Sequence, residues 1–388
     1  MRALNIFISH PSPFLTDHQP HGDGLAAWEF VSRLARRGHK VHVAAAAFDI
    51  KGDLPPHLSI HPYRLRAPLA AMQPLEAMVK IRAIFKRIAR GAPFDLIQQL
   101  NPVYPGLSAG LLRMGVPLVL GPFVPMWPQS DKAPGGSIRR GWRSAFDRII
   151  ERANLAQERA AAALILTTQA AASALREPER CGLRMFVLPY GVDTQRFVPA
   201  PEGSLSDGPS VLFLANLYAR KGIYTLLEAF ETVAVAIPRC RLDIAGDGPE
   251  AGGVRGKITA MASRAGIRMI GAVSRDRVAE VMRSCAVFCV PSHGEPFGLT
   301  ALEAMACGKP VVGTDTGGLA YLVDAPRGGR KVPVGDAEAL ATVLIEILSE
   351  PGLAESMGRH NRRFAVENYD WEYVIDRLEK VYDSVLSA

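Results

Sequence analysis

Short β-branched and leucine-rich runs alternate along the chain with longer stretches in which apolar residues return every three or four positions. That alternation predicts parallel strands covered by helices, an α/β chain rather than a sandwich or a bundle. In the first half, LNIFI, VHVAAA, FDLIQ, PLVL and ALILTT read as strands. Between the first two, Leu25, Trp28, Phe30, Val31 and Leu34 mark one helical face, and Gly38 ends the helix because glycine takes the left-handed cap without steric cost. Strand, glycine-bearing loop, helix and strand make a βαβ unit. A second series starts at VLFLANL and continues through RLDIAG, IRMIG, AVFCVP and PVVGT.

Between the two series, residues 189–209 lose apolar periodicity and fill with Pro, Gly and Ser, the composition of a linker. A chain of 388 residues also exceeds one ordinary core. The expected division is a Rossmann-like domain over residues 1–190, a linker over 191–209, a second Rossmann-like domain over 210–369 and a C-terminal helix over 370–388. That helix carries Trp371, Val374, Ile375, Leu378, Val381, Tyr382 and Val385 on one stripe, and the first domain is the surface expected to bury it.

Composition narrows the class. Hydrophobic residues at 48% and charged residues at 21% describe a globular chain. MRALNIFISH reads as a buried strand rather than a signal peptide, and AAAALILTTQAAASAL is interrupted by Thr167, Thr168 and Gln169, short of a membrane span. The cytoplasm is the expected compartment. Cys181, Cys240, Cys285, Cys289 and Cys307 form no CxxC pair, so reduced thiols are expected. A net charge of +7 invites an anionic partner. Nucleic acid is set aside because aromatic and basic residues do not interleave. With no DxD triplet and no clustered histidines, no metal is expected.

In doubly wound sheets, ligands sit beyond the carboxyl ends of strands, where glycine loops meet helix N-termini. Five segments fall there. His21-Gly22-Asp23-Gly24 follows the first strand and fits a phosphate or sugar contact as well as a plain turn. ANLYARKG sets Arg220 and Lys221 before a helix, a diphosphate site or simply solvated charge. Gly246-Asp247-Gly248-Pro249 reads as a turn. The richest stretch, SHGEPFGLTALEAMACGKPVVGTDTGG, places Glu295 in a glycine-bearing loop and Glu303 in a short helix. Thr300 and Glu303 match a capping box, in which the glutamate would close the helix end. The alternative is a ligand with phosphates for the amides and hydroxyls for the carboxylates. Gly317-Gly318 would lie beside the Glu295 loop if the strands preceding the two loops are neighbours.

Together these residues resemble family 4 of the retaining glycosyltransferases. The resemblance rests on RRGHKVHV, YGVD-x3-F ending at Phe197, the KG pair Lys221-Gly222, GDGPE, EPFG-x4-E, GKPVV and GDAEAL. It implies a GT-B fold, two Rossmann-like domains facing across a cleft. It further implies that Glu295 binds hydroxyls of the donor sugar and Glu303 those of the ribose. Phe297, Gly298, Leu299 and Thr300 would bring backbone amides to sugar and diphosphate, Lys221 would bind the diphosphate, and Gly22 would face it from the first domain. The base would lie near Gly271 to Val273. Three positions depart from the family pattern: Asn216 replaces an arginine, whose charge Arg220 could supply, Phe123 replaces a histidine, and Tyr321 a glutamate.

The implied reaction moves a hexose from a UDP-sugar or GDP-sugar to a hydroxyl with retention, Glu295 and Lys221 carrying the chemistry and no cofactor beyond the sugar nucleotide. Rival readings are a glycoside hydrolase using Glu295 and Glu303, a sugar-nucleotide-binding protein without transfer, and transfer to a soluble acceptor. LEAMVKIRAIFKRIAR, from Leu75 to Arg90, joins an apolar stripe to Lys80, Arg82, Lys86, Arg87 and Arg90. It reads either as a sheet-covering helix with a solvated basic face or as a helix lying on anionic lipid. A lipid-linked glycan acceptor at the inner face of the membrane is the expectation that follows.

Overall fold

The computed structural model describes residues 2–10, 14–67, 72–101, 103, 106–125, 140–180, 182–201 and 208–388. The chain forms two compact units, residues 1–190 with 372–388, and residues 191–371.

The first unit holds a seven-stranded parallel sheet. Its strands are β1 (Asn5–His10), β3 (Lys40–Ala45), β5 (Leu58–Pro62), β6 (Leu96–Gln99), β7 (Leu118–Phe123), β8 (Ala163–Leu166) and β9 (Met185–Val187), in the order β5-β3-β1-β6-β7-β8-β9. A separate two-residue pair joins β2 (Leu15–Thr16) to β4 (Phe48–Asp49). Helices α1 (Gly22–Arg36), α2 (Gln73–Ala89) and α3 (Arg140–Ala160) complete the βαβ pattern. Gly38 ends α1 at φ +92°, as its sequence position requires. Strands β5 and β9 were not legible as strands, because their residues are half-exposed and lack a continuous apolar run.

The second unit repeats the plan with six strands ordered β12-β11-β10-β13-β14-β15. These are β10 (Ser210–Leu214), β11 (Arg241–Ala245), β12 (Ile267–Gly271), β13 (Val287–Val290), β14 (Val311–Thr314) and β15 (Gly329–Val332). Around them lie α4 (Ile223–Ala236), α5 (Ala251–Ala260), α6 (Val278–Arg283), α7 (Leu299–Ala306), α8 (Leu319–Leu322), α9 (Ala337–Ser349) and α10 (Pro351–Tyr369). Phe213, Phe230, Leu226, Leu242, Val287 and Leu344 are fully buried in one core between sheet and helices. In both sheets the chain moves outward from the first strand on one side, then returns to build the other. The reversal falls between β1 and β6 in one unit and between β10 and β13 in the other, and these are the crevices where such sheets bind ligands.

The stretch read as a linker divides differently. From Gly191 onward it belongs to the second unit, where Val192 bridges Asp370 and Phe197 is fully buried. Gly191 packs so closely on Trp371 that a Cβ there would lie 2.5 Å from the indole. The Pro and Gly content hid this packing, and residues 202–207 lie outside the described set. The last helix, α11 (Trp371–Leu386), joins the first unit from Glu372. Its stripe is buried, and Arg37 at the end of α1 grips Glu372, Asp376 and Glu379.

Cys240, Cys285, Cys289 and Cys307 are buried free thiols. Burial pushes Cys240 up to about 11 and Cys285 and Cys307 up to about 12, so they behave as small hydrophobes. Cys181 lies outside the described residues.

Candidate functional site: a crevice in the second unit

Because β10 and β13 are neighbours, the loops leaving their carboxyl ends lie side by side. After β10 the chain makes a short 3-10 turn, Ala219–Lys221, and enters α4 through Gly222 in the left-handed region at φ +74°. A Cβ on Gly222 would lie 1.8 Å from the Pro291 carbonyl oxygen, so only glycine admits this approach. His293 N–H donates to the Arg220 carbonyl at 2.9 Å and closes the two loops onto each other.

That closure brings Lys221 to Glu295, with Nζ donating to Oε2 at 2.6 Å. The same oxygen faces Ser292 Oγ at 3.4 Å. Gly317 and Gly318 seal the other side of the loop. Gly318 N–H donates to the Glu295 carbonyl at 2.7 Å, and a Cβ on Gly317 would lie 2.2 Å from that oxygen. The neighbouring strands β13 and β14 thus place the glycine pair beside Glu295, as the sequence reading required.

The capping-box reading of Thr300 and Glu303 is corrected. Helix α7 begins at Leu299, with Gly298 as its N-cap at φ +99° and no side chain capping it. Thr300 is therefore inside the helix and Glu303 lies a full turn in, unable to reach back to the cap. The amides of Leu299 and Thr300 stand at an uncapped N-terminus directly after Glu295, where an anion gains from both hydrogen bonds and the helix dipole. Phe297 is buried, and its backbone lies beneath Gly318.

Glu303 is buried and pairs with Arg275 through Oε1. The two carboxylates are thus equipped alike: one oxygen of each is held by a cation, Lys221 or Arg275. The other, Oε1 of Glu295 and Oε2 of Glu303, makes no hydrogen bond among the described residues. Each glutamate faces its own cation.

Of the remaining residues expected at the site, those of the second unit follow the carboxyl ends of β10, β12 and β14. Gly271 ends β12 at φ +80°, and its carbonyl accepts from Gly246 N–H at 2.7 Å. Val273 is half-buried in the loop that follows. Asn216 is exposed, and the Arg220 guanidinium lies 5.3 Å from the centre of the Tyr218 ring. Tyr321, where the family has a glutamate, is 52% exposed on α8. Gly22 belongs to the first unit, where it opens α1 behind the N-cap His21.

A polar cluster in the first unit was missed by sequence reasoning. Asn101, after β6, donates to Asp23 at 2.7 Å across the β1/β6 crevice. Burial raises the Asp23 carboxyl against the lowering effect of that bond, and burial also pushes the Tyr190 phenol well above its ordinary value. His10 ends β1 fully buried, its Nδ1 without a partner among the described residues. Desolvation lowers it to about 4. Its native pKa is depressed while the unfolded chain titrates near 6.5, so the unfolded state takes up a proton first as pH falls. Stability is then lost between about pH 6.5 and 4, by about 2 kcal/mol at pH 5 from this residue alone. Urea midpoints at pH 7 and pH 5 should differ less in His10→Gln than in the parent chain; an equal difference would remove His10 as the cause.

Among the described residues, no three His, Cys, Asp or Glu side chains group to hold a metal ion, and no helix is long and apolar enough to cross a membrane.

Two Rossmann-like parallel sheets in series, each with a crevice where its strand order reverses, define a GT-B architecture. Residues 22–196 match the family Glycosyltransferase Family 4, and residues 195–364 match Glycosyl transferases group 1. The chain belongs to the family 4-like glycosyltransferases. It is 34% identical over 221 residues to a phosphatidyl-myo-inositol mannosyltransferase of Mycolicibacterium smegmatis, an alignment spanning 54% of each protein. With the enzyme of the same name from Mycobacterium leprae it shares 28% identity over 91% of this chain and 90% of the other. The fold matches the solved structure of Anabaena Alr3699/HepE in complex with UDP-glucose, at a TM-score of 0.74 and 20% identity, over 98% of this chain and all of that one.

Proposed function

We propose that the protein transfers a hexose from a nucleoside diphosphate sugar to a hydroxyl of a lipid-linked acceptor, with retention at the anomeric carbon. The observation that carries this reading is the Glu295–Lys221 pair beside the uncapped N-terminus of α7. Glu295 Oε1 would accept from donor-sugar hydroxyls. Lys221 and the α7 amides would stabilise charge growing on the leaving diphosphate, and Glu303 would hold the ribose. With retention and no covalent intermediate, the acceptor proton passes to the departing phosphate oxygen on the same face. Lys221 and the amides supply the positive charge for this step, so no metal is required by the reading. The nucleotide is a UDP-sugar or a GDP-sugar; a structural neighbour solved with UDP-glucose and a relative named as GDP-mannose-dependent support one each.

The acceptor class draws support from the inositol-lipid mannosyltransferases among the relatives and from α2. The apolar stripe of α2 is not available to lipid, since Ala77, Ile81, Ile84 and Phe85 are buried in the first unit. What remains outward is Val79, 69% exposed, with Arg82, Lys86, Arg87 and Arg90. Lys80 is drawn into a pair with Glu76 at 2.6 Å. Peripheral association at the inner face of the membrane would therefore be electrostatic, about 1 kcal/mol per cation, and salt-sensitive.

The test is transfer from labelled UDP- and GDP-hexoses, in chelator, to phosphatidylinositol or polyprenyl-linked sugars in anionic liposomes. An α-linked product from an α-linked donor is expected, and Arg82→Glu with Arg87→Glu should lower liposome binding about tenfold or more. Transfer to none of the lipids, but to a free sugar, would replace the acceptor assignment. Release of sugar from a glycoside without nucleotide would replace the reaction.

A further inference from the structure

Glu303 does not act from its own helix alone. The Arg275 guanidinium that holds Glu303 Oε1 lies 5.0 Å from the centre of the Phe197 ring, and Phe197 is fully buried. A second guanidinium, Arg196, lies 5.9 Å from the same ring and donates to the Arg275 carbonyl at 2.6 Å and to Asp276 at 3.1 Å. Arg362 fixes the other end of the segment by donating to the Phe197 carbonyl at 2.8 Å and to the Thr194 carbonyl at 3.1 Å. The segment from Thr194 to Phe197 thus ties the turn after β12 to the carboxylate on α7.

A nearly buried carboxylate costs free energy unless it is paired, and a bond to a planar guanidinium fixes its rotation as well as its charge. With Oε1 occupied, Oε2 has no partner among the described residues and is not a buried atom, so it is offered at a set position. A fixed acceptor is what a pair of vicinal hydroxyls needs. A mobile or uncompensated carboxylate near a diphosphate would repel it instead.

We infer that Arg275, stacked on Phe197, is the positioning residue that sets Glu303 for the ribose hydroxyls of the donor and cancels its charge toward the diphosphate. The inference rests on the donor-site reading above. It predicts that the Arg275–Glu303 bond is kept, not exchanged, when nucleotide binds, so Arg275 governs recognition of ribose rather than of base or sugar.

The test is calorimetric titration of UDP and GDP, each beside its 2′-deoxy and 3′-deoxy form, into the full chain. A hydroxyl donating to a charged acceptor makes the parent prefer the ribonucleotide by roughly 10- to 100-fold. Arg275→Ala should reduce that preference to about threefold or less, as Glu303→Gln does, with no further loss in the double variant. Arg275→Lys, which keeps the charge and is easier to accommodate, should restore part of it, and melting curves of both variants check that they fold. Full ribose preference in Arg275→Ala would overturn the inference while leaving the donor site standing. An equal loss of affinity for ribo- and deoxynucleotides would also overturn it, by making Arg275 a direct contact or a structural prop. Failure of the parent chain to bind either nucleotide would bring down the donor-site reading itself.

Discussion

Glu295→Gln should lower transfer about 100- to 1,000-fold and leave the melting temperature nearly unchanged. The amide keeps the shape of the side chain and one acceptor oxygen, so the loop sealed by Gly317 and Gly318 has no reason to move. What goes is the charge. The carboxylate holds Lys221 at 2.6 Å; in the proposed reaction it would also give donor-sugar hydroxyls a strong acceptor, and the lysine would turn between it and the diphosphate. The loss should appear in both kcat and kcat/KM, because a misplaced lysine fails the transition state more than the ground state. Steady-state kinetics with the best donor decide it; turnover within a factor of about three of the parent would remove Glu295 from the reaction.

Gly222→Ala should be among the most damaging small substitutions in the second unit. Two costs add: a left-handed φ of +74° and a Cβ placed 1.8 Å from the Pro291 carbonyl, a backbone atom that cannot swing aside. About 3 kcal/mol or more of stability is expected to go, roughly 6 to 12 °C in melting temperature for a unit of this size. The Pro291 strand end and the Lys221 turn would part, so donor affinity should fall with it. Gly335→Ala is the internal control, with φ +78° and open space around it, and should cost only about 1 to 2 kcal/mol. If both variants melted alike, close packing of the two loops would not be what Gly222 secures.

Much of this architecture can be read from sequence because its signals are local. Ten of the strands coincide with short β-rich runs in the sequence, and Gly38 ends α1 where the periodicity stops. The candidate site residues stand out in the sequence because a glycine-bearing loop, a helix start and two carboxylates fall within EPFGLTALE. Other features depend on partners distant in sequence. Nothing near Glu303 announces Arg275, so the sequence admits a capping box that the helix start at Leu299 excludes. Phe197 sits in a Pro- and Gly-rich stretch that reads as linker, although its ring is fully buried beside two guanidiniums. Asp23 and Asn101 lie on separate loops and meet because β1 and β6 are adjacent. For α2, the apolar periodicity was clear, but only packing could tell that the stripe faces inward.

The central claim is that a sugar nucleotide binds where Lys221, Glu295 and the N-terminus of α7 converge. Hydrogen–deuterium exchange of the full chain, with and without saturating UDP- and GDP-hexoses, tests it most directly. Slowed exchange is expected at the amides of Leu299 and Thr300 and around Lys221 to Ile223, with Glu295→Gln weakening both at the same donor concentration. Binding accompanied by protection elsewhere, with these amides unchanged, would contradict it.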